Sequence, residues 1–303
     1  MSLTIAYCTS RIQPCIEWFI DSLNRQIRPG EEFPPIIIVD LHYGTPGRHP
    51  LCVLPTSVTH YPPKPTVWQG KDRLPEKNWW AASNSRNTAL CLCKTNYILW
   101  VDDRCILAPT WLAAAREADA GRYAVCGSYE KRHGMVVDIG VITNPGTLNS
   151  TDCRNEQSKG QKCKAPGQWF FGGTLGMTLD MALTINGFEE LMDGLSAEDC
   201  MAGLHLENNG FPIFHDPRLK IIEDRTPEEL GEPMKRSSKE RWPKDTEDKG
   251  HSAFRKFGRL RKTSHQWHFK DIRASVLAGN PFPGHNGEPR LDWHDRQPIA
   301  EMV

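Results

Sequence analysis

Three short, uninterrupted apolar runs constrain the fold of this chain more than any other feature. Residues 3–8 (LTIAYC), 36–39 (IIIV) and 97–101 (YILWV) lack the polar alternation of a half-exposed strand. Such runs are typical of strands that are covered on both faces in a parallel sheet. Between the first two runs, Pro14 precedes apolar residues at three- and four-residue spacing, which predicts a helix with one buried face. Strand, helix and strand in this order predict an α/β fold with a parallel central sheet.

The remaining elements are predicted from weaker patterns. Helices are expected at residues 81–93 and 197–208, and strands at 123–128, 135–143, 174–179, 211–214 and 219–222. Residues 144–167 are rich in Gly, Asn, Lys and Ser, which predicts a mobile loop. From residue 226 onward charge dominates, so the sequence predicts a domain at residues 1–225 and a charged, mainly helical extension at residues 226–303.

The composition excludes several classes of protein. The 303 residues include ten Trp and eleven Phe, which supply a buried core and exclude a largely disordered chain. The 37 basic residues equal the 37 acidic ones, so a uniformly basic protein is excluded. The sequence has no apolar run of the length that predicts a membrane span, and no signal-peptide pattern. The ten cysteines form no C-x-x-C pair, so we expect reduced thiols and a cytoplasmic protein, in the host cytoplasm if the chain is viral.

Acidic residues follow two of the predicted strands. Asp40 ends the second apolar run, and Asp102 and Asp103 end the third. In parallel sheets, ligands bind beyond the carboxyl ends of the strands. Two adjacent carboxylates repel each other, and a divalent cation relieves that repulsion. A helix cap or an ion pair with Arg104 is the alternative for so short a motif.

The order of the polar motifs resembles the family 2 glycosyltransferases of the GT-A fold. Residues 84–90 (NSRNTAL) precede the strand that ends in Asp102 and Asp103, as an Arg-Asn helix precedes the Asp-x-Asp-type motif of that family. Gly172-Gly173, then residues 185–190 (INGFEE), then Glu198-Asp199, resemble its acceptor segment and its Glu-Asp motif. The ordered set covers residues 3–224. The resemblance implies a Rossmann-like, mostly parallel sheet flanked by helices, with a nucleotide-binding half (1–103) and an acceptor-binding half (104–225).

The resemblance also implies an activity and a set of roles. It implies an inverting hexosyltransferase that moves a sugar from a nucleotide-sugar, with a UDP-sugar favoured, to an acceptor hydroxyl. Asp199 would be the general base beside Glu198, although both can also stabilise the positive end of a helix. Arg86 can equally form a surface ion pair, and Trp169 can belong to the core. The nucleotide-sugar would contact Thr9, Ser10, Arg11, Asp40, Arg86, Asp102 and Arg104, and the acceptor would contact Trp169, Gly172 and Gly173.

A metal site is implied with one departure from the family pattern. Asp102 and Asp103 would hold Mn²⁺ or Mg²⁺, and Glu223 takes the place of a family histidine. Arg104 occupies a position where the family often has a carboxylate. A fixed cation there can contact the diphosphate directly, so the sequence leaves the metal requirement open.

A basic segment near the C-terminus suggests a nucleic-acid partner. Aromatic residues alternate with cations in this segment, as in proteins that bind a phosphate backbone and stack on bases. An amphipathic helix, or a segment that closes over the donor diphosphate, are the alternatives. The acceptor is accordingly expected to be a glycan or a hydroxymethylated base in nucleic acid. The basic residues are Arg255, Lys256, Arg259, Arg261 and Lys262.

Two other classes of function remain open on the sequence alone. The chain can be a non-catalytic nucleotide-sugar-binding protein, in which Arg104 marks a lost metal site. It can also be a nucleic-acid-binding module on an α/β scaffold, without any donor. The sequence predicts neither the sugar nor the oligomeric state.

Overall fold

The computed structural model describes residues 3–11, 13–44, 57–65, 81–193, 197–225, 254–255, 257–264 and 268–282. The strands are β1 (Leu3–Thr9), β2 (Ile36–Asp40), β3 (Val58–Tyr61), β4 (Tyr97–Asp102), β5 (Cys105–Leu107), β6 (Ala124–His133), β7 (Val136–Asp138), β8 (Val141–Asn144), β9 (Thr147–Thr151), β10 (Cys163–Lys164), β11 (Thr174–Thr178) and β12 (Ile213–Asp224). The helices are α1 (Ile16–Asn24), α2 (Ala82–Leu92), α3 (Trp111–Gly121), α4 (Arg154–Gln157), α5 (Leu179–Thr184), α6 (Glu198–Asn208) and α7 (Phe269–Leu277). Short 3₁₀ turns lie at Gly167–Trp169 and Glu190–Met192.

One mixed sheet organises the domain. Its strand order is β10-β12-β6-β11-β4-β1-β2-β3, with β5 beside β12 and β9 beside β6. Strands β3, β2, β1 and β4 are parallel neighbours, and β12 is parallel to β6. Strand β11 runs antiparallel between β4 and β6. The predicted α/β class with a mostly parallel central sheet is therefore confirmed.

The sheet separates two apolar cores, which explains the uninterrupted apolar runs. Ile5 and Tyr7 of β1 pack with α1 and α3 on one face of the sheet. Ala6 and Cys8 of the same strand pack on the other face, where α2 lies. Because successive side chains of a strand point to opposite faces, a strand between two cores is apolar at every position.

Helix α2 is buried although its sequence is polar. Every residue from 82 to 91 is buried, so its polar side chains need partners inside the protein. The carboxylate of Asp193 accepts hydrogen bonds from the backbone N–H groups of Ser83 (2.7 Å) and Asn84 (3.2 Å) and so caps the helix. The amide of Asn87 donates to the carbonyl of Phe188 (2.8 Å) and to Glu190 (2.9 Å). Helix α2 is therefore an internal, hydrogen-bonded element of the fold.

The prediction of a mobile loop at residues 144–167 is wrong. This stretch contains β9, α4 and β10, and a fully buried arginine, Arg154, holds it in place. The guanidinium pairs with Asp152 and donates to the carbonyls of Phe171 (2.8 Å) and Gly127 (2.8 Å). Gly127 and Phe171 lie outside the stretch, so its polar composition gave no sign of these contacts.

Strand β12 replaces the two separate strands predicted at 211–214 and 219–222. Its pairing with β6 shifts register between Asp216 and Ile221, which is a bulge. Gly127 on β6 permits the bulge, because a Cβ at this position would lie 2.1 Å from the carbonyl oxygen of Leu219. A single irregular strand therefore crosses the sheet.

The described part of the C-terminal region packs on the domain. Phe257 and Phe269 are buried, and a ring nitrogen of His205 on α6 lies 2.9 Å from the carbonyl of Phe257. Arg273 on α7 donates to the carbonyl of Cys93, at the end of α2 (2.7 Å). Most of residues 226–303 lie outside the described residues, so the boundary at residue 225 stays a prediction.

Within the described ranges, no helix has the length and apolar character needed to cross a bilayer.

Candidate active site

A cleft of about 180 Å³ lies at the carboxyl ends of β1, β4, β6 and β12. Parallel strands place these ends along one edge of the sheet, where the sequence predicted a ligand site. Charged residues of both signs dominate the lining, so the cleft suits a charged, polar ligand. The lining residues are Ser10, Arg11, Arg86, Asp102, Asp103, Tyr129, Lys131, Phe171, Gly172, Glu198, Asp199, Glu223 and Arg225.

The two adjacent aspartates at the end of β4 have different surroundings. Asp103 accepts hydrogen bonds from the hydroxyl of Thr9 (2.7 Å) and from Nε of Arg11 (3.1 Å). The side chain of Asp102 is 33% exposed, and its Oδ1 lies 3.8 Å from Nη2 of Arg86. Asp103 therefore holds the loop after β1, while Asp102 faces the cleft.

Arg86 connects three elements at the floor of the cleft. Its Nη1 donates to Glu198 on α6 (2.7 Å), and its guanidinium lies 5.2 Å from the centre of the Phe188 ring. Although burial lowers the pKa of Arg86, the carboxylates of Glu198, Asp102 and Asp199 raise it above its ordinary value. Arg86 is therefore a permanent, fixed cation beside three carboxylates.

Asp199 lies in the first turn of α6 and has a perturbed pKa. Its Oδ1 accepts a hydrogen bond from the backbone N–H of Cys200 (2.7 Å). Burial and the neighbouring charge of Glu198 raise the pKa of Asp199 to about 6, against the opposing effects of Arg86 and the Cys200 N–H. A carboxylate with such a pKa is a stronger base than an ordinary aspartate and is still ionised at neutral pH. The two predicted residues therefore differ in their surroundings. Glu198 forms an ion pair with Arg86, whereas Asp199 has the raised pKa of a base.

Glu223, near the end of β12, is the second carboxylate with a raised pKa. Burial raises the pKa of Glu223 to about 7, although Nε of Arg225 lies only 2.7 Å from its Oε1. Its Oε2 is buried and has no hydrogen-bond partner among the described residues. Nη2 of Arg11 lies 3.9 Å from Oε1. Near neutral pH, Glu223 is thus poised between its charged and neutral forms.

The described residues do not form the predicted metal site. Within the described ranges, no group of three or more His, Cys, Asp or Glu side chains could hold a metal ion. Asp102, Asp103 and Glu223 share the cleft, but each lies near an arginine, with Asp103 beside Arg11 and Glu223 beside Arg225. In this arrangement each of the three carboxylates therefore lies near a side-chain cation.

Five predicted site residues lie outside the cleft lining, namely Thr9, Asp40, Arg104, Trp169 and Gly173. Arg104 is buried and pairs with Asp224, so its predicted contact with a diphosphate is not supported. Asp40 is buried, where it accepts from the backbone N–H of His42 (2.8 Å) and lies 2.9 Å from Nε2 of His60. The indole of Trp169 packs against an apolar core, as its alternative interpretation expected.

The sequence did not reveal three lining residues. Tyr129 and Lys131 lie on β6, which was predicted to end at residue 128 but continues to His133. Arg225 directly follows β12. The rule that ligands bind at carboxyl ends would have identified these residues if the lengths of the two strands had been known. Nζ of Lys131 lies 4.6 Å from the centre of the Tyr129 ring.

The basic segment lies at the opposite end of α6 from Asp199. Asn208 donates to the carbonyls of Gly258 (2.9 Å) and Leu260 (2.8 Å), which fixes the segment at the end of the helix. Asn208 follows Glu198 by ten positions in the helix. At a rise of about 1.5 Å per residue, the two ends of the helix are roughly 15 Å apart. The described part of the segment therefore lies outside the cleft lining. Its described cations are all exposed, namely Arg255, Arg259, Arg261 and Lys262, whereas Lys256 lies outside the described residues.

Comparison with solved structures identifies the fold. The chain is similar to a crystal structure of GalNAc-T7 with UDP, GalNAc and Mn²⁺, with a TM-score of 0.55, 10% identity, and coverage of 93% of this chain and 58% of that one. It is also similar to S. aureus TarS 1-349 in complex with UDP (TM-score 0.47, 14% identity, 74% of this chain and 60% of that one) and with UDP-GlcNAc (0.48, 14%, 77% and 60%). No family model and no curated protein matches the chain. The chain spans about three fifths of the length of these structures. The match to the GalNAc-T7 structure shows a GT-A-like fold, as the sequence predicted.

Proposed function

We propose that the chain is an inverting glycosyltransferase that moves a sugar from a nucleotide-sugar donor to an acceptor hydroxyl. One observation carries the proposal. A carboxylate with a pKa of about 6, Asp199, shares a cleft with four cationic side chains at the ligand-binding edge of a GT-A-like sheet. A base for a hydroxyl and cations for a diphosphate are the two functions that such a transfer needs. The cations are Arg11, Arg86, Lys131 and Arg225.

In the proposed reaction, Asp199 takes the proton of the acceptor hydroxyl. The acceptor oxygen forms a bond to the anomeric carbon while the bond from that carbon to the diphosphate oxygen breaks. The attack comes from the face opposite the leaving group, so a single displacement inverts the anomeric configuration. No enzyme nucleophile is required.

The leaving nucleoside diphosphate carries the negative charge that develops during bond cleavage. Fixed cations that already point at this charge stabilise the transition state without reorganisation. Arg86 is held by Glu198 and Phe188, so it meets this requirement best. A uridine diphosphate is favoured as the donor nucleotide, because the GalNAc-T7 structure with this fold contains UDP.

The direct test is nucleotide release from a panel of nucleotide-sugars, with glycan and hydroxymethylated-DNA acceptors, in Mn²⁺ and in a chelator. We expect release that depends on an acceptor. Turnover in the chelator would mean that the arginines and Lys131 neutralise the charge on the leaving diphosphate. A strict requirement for Mn²⁺ would mean that Asp102 and Asp103 leave their present partners to bind the ion. Donor-induced stabilisation without release would instead indicate a binding protein, and the absence of both effects would contradict the proposal.

The exposed cations at the end of α6 favour a nucleic acid as the acceptor. If Arg255, Arg259, Arg261 and Lys262 are all replaced by glutamine, we expect weaker binding to duplex DNA. Each lost phosphate contact lowers the slope of log affinity against log salt by about 0.9, so the slope should fall by up to roughly 3.6. Fluorescence anisotropy across a salt series measures both quantities.

A charge-matched variant controls for the overall loss of positive charge. It replaces four exposed cations elsewhere, namely Arg25, Arg28, Arg122 and Lys159. We expect this variant to keep the salt slope of the unmodified protein. Equal loss of affinity in both variants would show non-specific attraction, and would leave a glycan as the better acceptor hypothesis.

A further inference from the structure

We propose that the C-terminal segment, in its described residues 257–264 and 268–277, is a positioning element of the active site. It holds the central loop, residues 185–190, against α2, and thereby fixes Arg86 between Glu198 and Phe188. This inference rests on the proposed function, because it assigns a role within the same cleft. It differs from a nucleic-acid role for the exposed cations, since it concerns the buried face of the segment.

The first link joins the C-terminal segment to the central loop. Asn186 and Thr263 bond reciprocally, with Asn186 Nδ2 donating to Thr263 Oγ1 (2.9 Å) and Thr263 Oγ1 lying 3.0 Å from the Asn186 carbonyl. The N–H and hydroxyl of Ser264 both donate to Oε2 of Glu189, at 2.7 and 2.8 Å. The backbone N–H of Phe269 donates to Oδ1 of Asn186 (2.9 Å). These groups are buried or partly buried, so the polar atoms of the loop depend on the segment.

The second link joins the central loop to α2. The N–H of Phe188 donates to Oδ1 of Asn87, and Nδ2 of Asn87 donates back to the Phe188 carbonyl, both at 2.8 Å. The hydroxyl of Ser83 donates to the carbonyl of Glu189 (3.0 Å). Gly187 has φ +72, and a Cβ there would lie 2.4 Å from Oδ1 of Asn87. The backbone of the loop is therefore bonded to side chains of α2, and a shift of the loop must disturb the helix.

The third link joins the central loop to Arg86. The Phe188 ring lies under the guanidinium and meets the Trp100 ring edge-on at a centroid distance of 5.0 Å. The indole N–H of Trp100 donates to the backbone carbonyl of Arg86 (3.0 Å). The head group of Arg86 thus lies against a ring of the loop, and its backbone is held by Trp100, which the same ring contacts. Its charged contacts are the ion pair with Glu198 (2.7 Å) and Asp102 at 3.8 Å.

The position of Arg86 affects the charge state of Asp199. Burial and the charges of Glu198 and Asp102 favour the protonated form of Asp199, whereas Arg86 and the Cys200 N–H favour the ionised form. Other charged groups line the same cleft, namely Arg11, Asp103, Lys131, Glu223 and Arg225. Displacement of Arg86 therefore raises the pKa of Asp199. A general base acts in its ionised form, so the rate falls at low pH as the base is protonated. This low-pH limb of the pH–rate profile then moves to higher pH.

The test compares the pH dependence of kcat in variants of the first and third links. Thr263→Val combined with Ser264→Ala removes the hydrogen bonds to the central loop, and Phe188→Leu removes the ring below Arg86. We expect both variants to shift the low-pH limb upward by roughly half a unit or more, since a nearby opposite charge lowers a carboxyl pKa by about one to three units. A loss of folded protein alone lowers kcat equally at every pH and leaves the limb in place.

Lys270→Gln is the matched control within the same segment. Lys270 is exposed on α7, so its replacement leaves the buried face of the segment in place and should not move the limb. Phe188→Leu changes no residue of the segment and keeps the proposal testable if the double variant does not fold. Variants that turn over with an unshifted limb would overturn the positioning role and leave the proposed function intact. Absence of transfer in the unmodified chain, with every donor and acceptor, would overturn both.

Discussion

Replacement of Asp199 by asparagine is expected to lower the rate of sugar transfer by about 10²- to 10⁴-fold, the usual contribution of a general base. Asparagine has nearly the same shape and can still accept the hydrogen bond from the Cys200 N–H. It cannot take a proton from the acceptor hydroxyl. Donor binding should change little, because the four cationic side chains that line the cleft remain. The expected result is a fall in kcat at nearly constant donor KM, measured by nucleotide release with acceptor present.

The pH dependence gives an independent check on the same residue. Since the pKa of Asp199 is raised to about 6, the rate of the unmodified protein should fall as the pH drops through this value. The residual rate of Asp199→Asn should lose that limb. Glu207→Gln is the control, because Glu207 is exposed on the same helix. A variant Asp199→Asn with nearly full activity would mean that another group, with Glu223 as the first candidate, acts as the base.

Replacement of Gly203 by alanine is expected to destabilise the fold by about 3 kcal/mol, the upper part of the range for overpacking. In an exposed helix the same change stabilises by about 1 kcal/mol, because glycine is a poor helix former. Here a Cβ would lie 2.0 Å from the carbonyl oxygen of Gly167 and 2.4 Å from Cβ of Phe170. Backbone atoms cannot turn away as a long side chain can, so the clash outweighs the helix propensity.

Thermal unfolding measures this effect. A loss of about 3 kcal/mol corresponds to a fall in Tm of roughly 5–10 °C for a domain of this size. The matched control is Glu207→Ala on the exposed face of α6, which should change stability by no more than about 0.5 kcal/mol. An unchanged or higher Tm for Gly203→Ala would mean that α6 and the turn at Gly167–Trp169 are not in close contact in solution.

The main strands could be predicted because their burial on both faces leaves a direct mark on the sequence. The three apolar runs became β1, β2 and β4, and the residues just beyond β1 and β4 line the cleft as predicted. Glu198 and Asp199 were predicted as site residues from the order of family motifs, because two acidic residues at the start of a helix are not informative alone. Both line the cleft. In these parts of the chain, local pattern and tertiary structure agree.

The sequence failed where long-range pairing decides the structure. The polar half of β6 pairs with β9 and β12, so Lys131 reaches the cleft from a strand that seemed to end before it. Arg104 has φ +51 and an ion pair with Asp224, and neither is visible in a local pattern. Arg154 orders a stretch of loop-like composition through partners on other elements. Such partners are set by the fold as a whole, which a single sequence read locally does not supply.

If the C-terminal segment positions Arg86 as proposed, the docking of α7 on α2 also determines when the cleft can be completed during synthesis. Cys93 and Arg273, which join the two helices, are 180 residues apart in the chain. At translation rates of 5–20 residues per second, α2 leaves the ribosome roughly 10–40 s before its partner. In the later part of that interval, the loop at residues 185–190 has been made but lacks the C-terminal segment that bonds to it in the finished protein. Nascent chains stalled before residue 257 should therefore contain the central strands but not an ordered Arg86, so the ability to bind a donor is acquired last.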